Sequence, residues 1–212
     1  MTKSNIKNME RINLSSNNSH EDNNSHSNHQ DNYFIHLARY MFCARQLDVD
    51  DEVLEIGCGT GYGASLLSDF CKNVVATDLG YKDLIDLWSE YNKRNLKFVN
   101  ELPDKKFDTI ASFEVVEHIH PEEVNSYFVD IKNHLKDNGS LFISTPRYIP
   151  YEERSQNRKD YHLKEYTYDE YKELLNKHFH NVFIFSQNDS IISMQNPKMA
   201  WNFVAICTGK KI

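Results

Sequence analysis

Four glycines fall within seven residues, Gly57-Cys58-Gly59-Thr60-Gly61-Tyr62-Gly63, directly after the apolar run Val53-Leu54-Glu55-Ile56. A short buried strand that runs into alternating glycines and then into a helix is how an α/β sheet brings bare backbone to its edge. A second apolar run ends at Asp78, 21 positions after Gly57. Together the two segments predict the opening strand, turn and helix of a nucleotide-binding sheet.

Hydrophobic period and turn residues place the rest. A helix is expected over 33–47, with its apolar side at Phe34, Leu37, Ala38, Met41 and Phe42. Strands at 52–56, 73–77, 96–99, 109–113 and 140–144 alternate with helices at 62–70, 82–91 and 121–135. The last of these helices carries Pro121 in its first turn and is expected to stop at Asn138-Gly139. Such alternation implies a parallel sheet covered on both faces. Helix 168–179 is followed by strands at 182–185 and 201–207 with no helix between them, so these two are expected to pair antiparallel.

The glycine spacing alone leaves the ligand open, because Gly59-x-Gly61-x-x-Ala64 also satisfies a loose dinucleotide fingerprint and so a dehydrogenase reading. Charge separates the alternatives. Glu55 lies two residues before the first glycine, where a carboxylate would repel a pyrophosphate but suits a ligand carrying an ammonium and a sulfonium. That points to S-adenosylmethionine. Asp78 stands about where an acidic residue accepts hydrogen bonds from both ribose hydroxyls.

The chain has 212 residues, 40% of them hydrophobic and 12% aromatic. One sizeable core is expected, over residues 31–212. Residues 1–30 are rich in Asn, Ser and His without a period, which predicts a disordered tail; His20, His26 and His29 there read as compositional drift. No apolar stretch is long enough for a signal peptide or a membrane-spanning helix, so a soluble, cytoplasmic protein is expected. Cys43, Cys58, Cys71 and Cys207 make no C-x-x-C pair and read as reduced, mostly buried residues. The net charge of −7 argues against nucleic acid as a partner. Arg147, Arg154, Arg158, Lys159 and Lys164 gather in one segment, which leaves room for a small anionic acceptor such as a nucleotide sugar. Tyr148, Tyr151, Tyr161, Tyr166 and Tyr168 crowd the same segment; they would stack on a sugar or base, or close a lid over the core.

The order of motifs resembles the class I S-adenosylmethionine-dependent methyltransferases over residues 31–208. That family implies a doubly wound, Rossmann-like seven-stranded sheet, mostly parallel with an antiparallel last strand, and helices on both faces. Within it, His36-Leu37-Ala38-Arg39-Tyr40, Gly61-Tyr62-Gly63, Ser112-Phe113-Glu114-Val115-Val116-Glu117-His118, Ser144-Thr145-Pro146 and Tyr161-His162-Leu163-Lys164-Glu165-Tyr166 resemble enzymes of glycan and nucleotide-sugar pathways. Arg147, where such enzymes often have Asn, and Ser186-Gln187, in place of Gly-Gln, depart from that pattern. The resemblance implies that Glu55, Gly57, Gly59 and Gly61 line the methionine part of the cofactor. Asp78 and Leu79 would meet the ribose, Asn100, Glu101 and Leu102 the adenine, and Arg39 the methionine carboxylate; a plain surface Arg is the alternative for Arg39.

Chemistry is then expected after the fourth strand, which opens onto the ligand crevice. Glu114, Glu117 and His118, spaced i, i+3 and i+4, would share a side if the chain turned helically there. With His162 they form a plausible octahedral site for Mg²⁺ or Mn²⁺. The same four residue types also resemble the metal site of small-RNA 2′-O-methyltransferases. Alternatively His118 acts as base without a metal, with Glu117 the second catalytic candidate, or the Glu-His pair only caps the next helix. The expected activity is O-methylation of a sugar hydroxyl on a nucleotide sugar or glycan. Methylation of RNA ends, or a non-catalytic S-adenosylmethionine-binding partner subunit, are the alternatives. No membrane partner is expected, and the oligomeric state stays open.

Overall fold

Val53 and Leu54 are adjacent and wholly buried, yet they belong to two different apolar clusters. Successive strand residues point to opposite faces, so a strand buried on both sides feeds two cores. Ile110 and Ala111 divide in the same way, as do Leu141 and Phe142. The computed structural model describes residues 29–211 and builds both cores around one sheet. The expected tail over 1–30 falls almost entirely outside the described residues. Its last two positions already belong to the first helix.

The strands are β1 (Glu52–Ile56), β2 (Asn73–Thr77), β3 (Leu96–Val99), β4 (Phe107–Phe113), β5 (Leu135–Pro146), β6 (Phe179–Gln187), β7 (Ile192–Ser193) and β8 (Asn202–Lys210). They lie in the order β3-β2-β1-β4-β5-β8-β6-β7. Neighbours from β3 through β5 run parallel, and β8 is antiparallel to both β5 and β6. The eighth strand, absent from the seven expected, is the two-residue β7, which pairs Ser193 with Ser186 at the edge. Helices α1 (His29–Ala44), α2 (Tyr62–Leu67) and α3 (Tyr81–Trp88) contribute to one core. Helices α4 (Val124–His134) and α6 (Tyr168–His178) contribute to the other, while the short α5 (Gln156–Tyr161) lies in the connection after β5.

The expected bounds of α4 are corrected at both ends. Helix α4 begins at Val124 because residues 121–123 form a turn. It also ends earlier, at His134, and Asn138-Gly139 sits inside β5, where the register jumps from Phe107↔Leu135 to Thr109↔Ser140. The pair marks a bulge, where an added Cβ at Gly139 would approach the Asp108 carbonyl oxygen to 2.8 Å. Helix α5 had a local signal in Ser155, whose hydroxyl accepts from the Arg158 N–H.

Strand order reverses between β1 and β4, and that is where a doubly wound sheet opens a crevice beyond the carboxyl ends of its strands. The glycine loop, Asp78, Asn100, Glu114 and Arg147 each follow one of β1 to β5 and so all emerge at that edge. No helix among the described residues is long and apolar enough to cross a membrane.

Candidate active site

The glycine loop is built from left-handed backbone: φ is +77° at Gly57, +51° at Gly59 and +88° at Gly61. The N–H groups of Gly57 and Cys58 donate to the Thr77 carbonyl, tying the loop to β2. A Cβ at Gly57 would collide with Val115, and one at Gly61 with the Phe98 ring at 2.6 Å. At Gly59 an added Cβ would meet nothing within 4 Å. The loop is therefore packed against protein at two glycines and open at the one between them. Trp88, which the sequence reading missed, stacks on Phe98 and donates its indole N–H to the Gly59 carbonyl at 2.9 Å.

Glu55 is buried, and its Oε1 accepts from the Tyr40 hydroxyl at 2.6 Å while Oε2 has no partner. Burial drives its carboxyl from the ordinary 4.5 up to about 7, against the opposing Tyr40 hydrogen bond. Arg39 is fully buried, not the surface residue its helix position allowed. Its Nη1 donates to Gln187 Oε1 at 3.1 Å and lies 3.5 Å from Glu114 Oε1, whereas Nε and Nη2 have no partner. Unpaired buried polar atoms are costly, and here they occur in one anionic and one cationic side chain beside the loop. Tyr62 feels both charges together with that of Glu114.

Asp78 is held at the end of β2 by the N–H groups of Gly59 (3.0 Å) and Gly80 (2.7 Å). Leu79 beside it is 98% exposed, an apolar surface with no packing role. Asn100 and Glu101 are exposed just past β3, and Leu102 packs partly against the core.

Beyond β4 the chain does not turn as a helix at once. Glu114 takes a left-handed φ of +57°, and only Val116–His118 form a short 3₁₀ turn. Glu114 is thereby separated from the expected ligand set: its Oε1 accepts from Ser144 Oγ at 2.6 Å and faces Arg39. Burial acts to raise its carboxyl, but Arg39, His36 and the Ser144 hydroxyl outweigh this and hold it below the usual range. His36, also missed, is driven down to about 4 by burial and by the Arg39 charge.

Glu117, His118 and His162 do meet, with one potential ligand atom from each lying within 4.8 Å of the others. Glu117 is fully buried; Oε2 accepts from Thr145 Oγ1 at 3.0 Å and Oε1 has no partner. Burial, then the charge of Glu114, pushes its carboxyl well up. His118 Nδ1 lies 2.9 Å from the Tyr161 carbonyl oxygen, which can only accept, so Nδ1 carries the proton and Nε2 faces Glu117 Oε1 at 4.0 Å. Burial holds its imidazole below the ordinary range. The His118 and His162 rings meet edge to face with centroids 5.0 Å apart. An unpartnered carboxylate oxygen and two imidazoles fit a divalent cation of the Mn²⁺ or Mg²⁺ kind, with three protein ligands in place of the four expected.

The basic segment is less available than its composition implied. Arg154 and Arg158 both pair with Glu165, at 3.2 and 2.7 Å. Burial raises the Glu165 carboxyl, but hydrogen bonds from His162, Arg158 and the Ile149 N–H bring it down to about 2. The tyrosines divide: Tyr166 is buried, while Tyr148 and Tyr151 are exposed with the Arg154 guanidinium over both rings at 5.5 and 5.9 Å. All four cysteines are buried, and none is in a disulfide.

A family model described as a methyltransferase domain matches residues 27–182. The chain is 30% identical over 152 residues to a protein of Mycobacterium tuberculosis strain H37Rv named "Probable S-adenosylmethionine-dependent methyltransferase"; the match covers 68% of this chain and 54% of that one. Over 102 residues it is 35% identical to a ubiquinone biosynthesis O-methyltransferase of Rickettsia felis, covering 44% and 41% of the two chains. The chain thus spans about half the length of the curated relatives it matches. Among solved structures it is similar to the DhpI–SAH complex, with a TM-score of 0.63 at 16% identity over 84% of this chain and 86% of that one, a likeness of fold.

Proposed function

The chain belongs to the methyltransferase domain family, whose model spans 27–182, and from that membership we propose an S-adenosylmethionine-dependent O-methyltransferase whose acceptor is a sugar hydroxyl on a nucleotide sugar or glycan. The zwitterionic end of the cofactor is matched by the two unsatisfied groups beside the loop. Glu55 Oε2 would accept from the ammonium, and Arg39 Nε and Nη2 would donate to the carboxylate. Asp78 and Leu79 would meet the ribose, and Asn100, Glu101 and Leu102 would border the adenine. Gly59 leaves room for close approach of the ligand to the backbone.

Bound S-adenosylmethionine supplies a methyl group already activated on a sulfonium, which leaves the protein to align the acceptor and handle its proton. An alcohol holds that proton tightly near neutrality, so a base or a metal must assist. Without a metal, His118, with its proton held on Nδ1 by the Tyr161 carbonyl, would present Nε2 as the base; with a metal, that same lone pair would be a ligand. Glu117, His118 and His162 would hold Mg²⁺ or Mn²⁺, which would lower the pKa of a coordinated sugar hydroxyl.

The observation that carries this reading is the meeting of Glu117, His118 and His162 within 4.8 Å beyond β4. Incubation with labelled S-adenosylmethionine and a panel of nucleotide sugars, glycans and RNA ends, with and without chelator, tests it. Label on a sugar acceptor, lost with chelator and restored by Mn²⁺, is the expected result. Transfer unaffected by chelator would leave His118 as base without a metal. Label on RNA alone would replace the acceptor, and no label at all would refute the activity.

A further inference from the structure

Three donors from the connection after β5 converge on one buried carboxylate that no part of the proposed chemistry uses. Glu165, 3% exposed, accepts from Arg158 Nε at 2.7 Å, His162 Nδ1 at 2.8 Å and the Ile149 N–H at 3.2 Å, and Arg154 Nε lies 3.2 Å away. An ionised carboxylate has no proton to donate, so a hydrogen bond with His162 Nδ1 requires the imidazole to carry its proton there. The lone pair is then left on Nε2, on the opposite side of the ring. Tyr161 does the same for His118 through a carbonyl. The two imidazoles are thus locked in the same tautomer by acceptors outside the cluster.

We propose that Glu165 is a positioning residue: it sets the tautomer and ring orientation of His162, and through the two arginines it ties that orientation to the folded state of the segment 147–165. The role is coupled to the reading of the Glu117, His118 and His162 cluster as the site of methyl transfer, and rests on it. Arg154 and Arg158 supply the geometric link. Both reach Glu165, and Arg158 Nη2 also donates to the Arg147 carbonyl at 2.9 Å, while Arg154 covers Tyr148 and Tyr151. An acceptor that orders these residues would simultaneously fix the carboxylate that aims His162. A carboxylate that orients a metal-ligating imidazole in this way is worth about 10–100-fold in metal affinity where it has been removed.

The test uses the full chain with ¹⁵N-labelled histidine, free of metal, and reads the tautomer on the neutral imidazole. His162 is expected as the Nδ1–H tautomer in the parent chain. Glu165→Gln is expected to mix in or favour the other tautomer, because an amide can donate to Nδ1. Glu165→Asp keeps the charge for the arginines but withdraws the acceptor, and should disturb the same signal; it decides the matter should the Gln variant fold poorly. Arg154→Gln, which leaves Arg158 and the Ile149 N–H on Glu165 and does not touch His162, should leave the tautomer intact. In a Mn²⁺ titration, Glu165→Gln should weaken binding roughly 10–100-fold and Arg154→Gln by less than about threefold. A parent His162 protonated on Nε2, or a tautomer indifferent to both Glu165 variants, overturns the proposal. A parent chain that binds no Mn²⁺ yet shows the Glu165-dependent tautomer would sustain the positioning role while the metal reading falls.

Discussion

Glu55 is the residue on which cofactor binding and pH meet. Its carboxyl is raised from 4.5 to about 7 by burial, so the folded chain holds this proton more tightly than the unfolded one. The stability this group lends is fully present below about 4.5 and is lost as pH rises through about 7, on the order of 3 kcal/mol in all. Thermal melts of the parent chain and Glu55→Gln across that window should diverge in that sense. The ligand ammonium reverses the preference, since it pairs with the ionised form. Affinity for S-adenosylmethionine should therefore rise with pH up to about 7, by roughly tenfold per unit for one linked proton, and then level off. Glu55→Gln should flatten the profile and bind about 10–100-fold more weakly at high pH, the loss expected of a charge-assisted hydrogen bond.

The loop glycines make a second contrast at the same scale. Gly57→Ala places a methyl group on Val115 in a left-handed conformation, so it should destabilise the fold by about 2 kcal/mol or more. Gly59→Ala meets no protein atom and should cost only about 1 kcal/mol, yet it fills the open side of the loop. Denaturant melts and calorimetry should then show Gly57→Ala as a folding defect and Gly59→Ala as a binding defect of at least about tenfold.

Among the elements, α6 is the helix whose start is most clearly written in the sequence. Thr167 Oγ1 accepts from the Glu170 N–H and the Glu170 carboxylate accepts from the Thr167 N–H, a complete capping box. Thr167→Ala should cost about 1 kcal/mol, roughly 2–4 °C in Tm for a domain of this size, with cofactor affinity unchanged. The strands from β1 to β3 were equally legible, since their apolar runs and the turns around them are local. Helix α1 and strand β5 were less so. The first begins four residues earlier than its apolar period, and in the second a bulge let Asn138-Gly139 pass for a helix stop. Register irregularities depend on the partner strand, and a single sequence does not display the partner.

At the scale of the molecule, the glycine loop, Glu55 and Asp78 could be read directly because each follows a strand end by a fixed short distance. The partners that hold the other candidate residues in place could not. Arg39 meets Gln187 across 148 positions, Glu117 meets Thr145 across 28, and His118 meets the Tyr161 carbonyl across 43. Glu114 was misjudged for a different reason: helical spacing was assumed where the backbone takes one left-handed residue, which sends the carboxylate to Ser144 and Arg39. Glu165 lies only three positions from His162, but nothing in the spacing says that two arginines and a histidine share it. The sheet thus brings together, at one edge, a loop that is local and a cluster that is not.

The central claim is that the unpartnered Oε2 of Glu55 and the unpartnered Nε and Nη2 of Arg39, set beside an open glycine loop, receive S-adenosylmethionine. Isothermal calorimetry of the purified chain with S-adenosylmethionine, S-adenosylhomocysteine and NAD measures this directly. Saturable binding of the first two near one per chain, weakened at least about tenfold by Arg39→Gln or Glu55→Gln and absent for NAD, is the predicted result. No heat with either adenosyl ligand, or binding of NAD in their place, would contradict it.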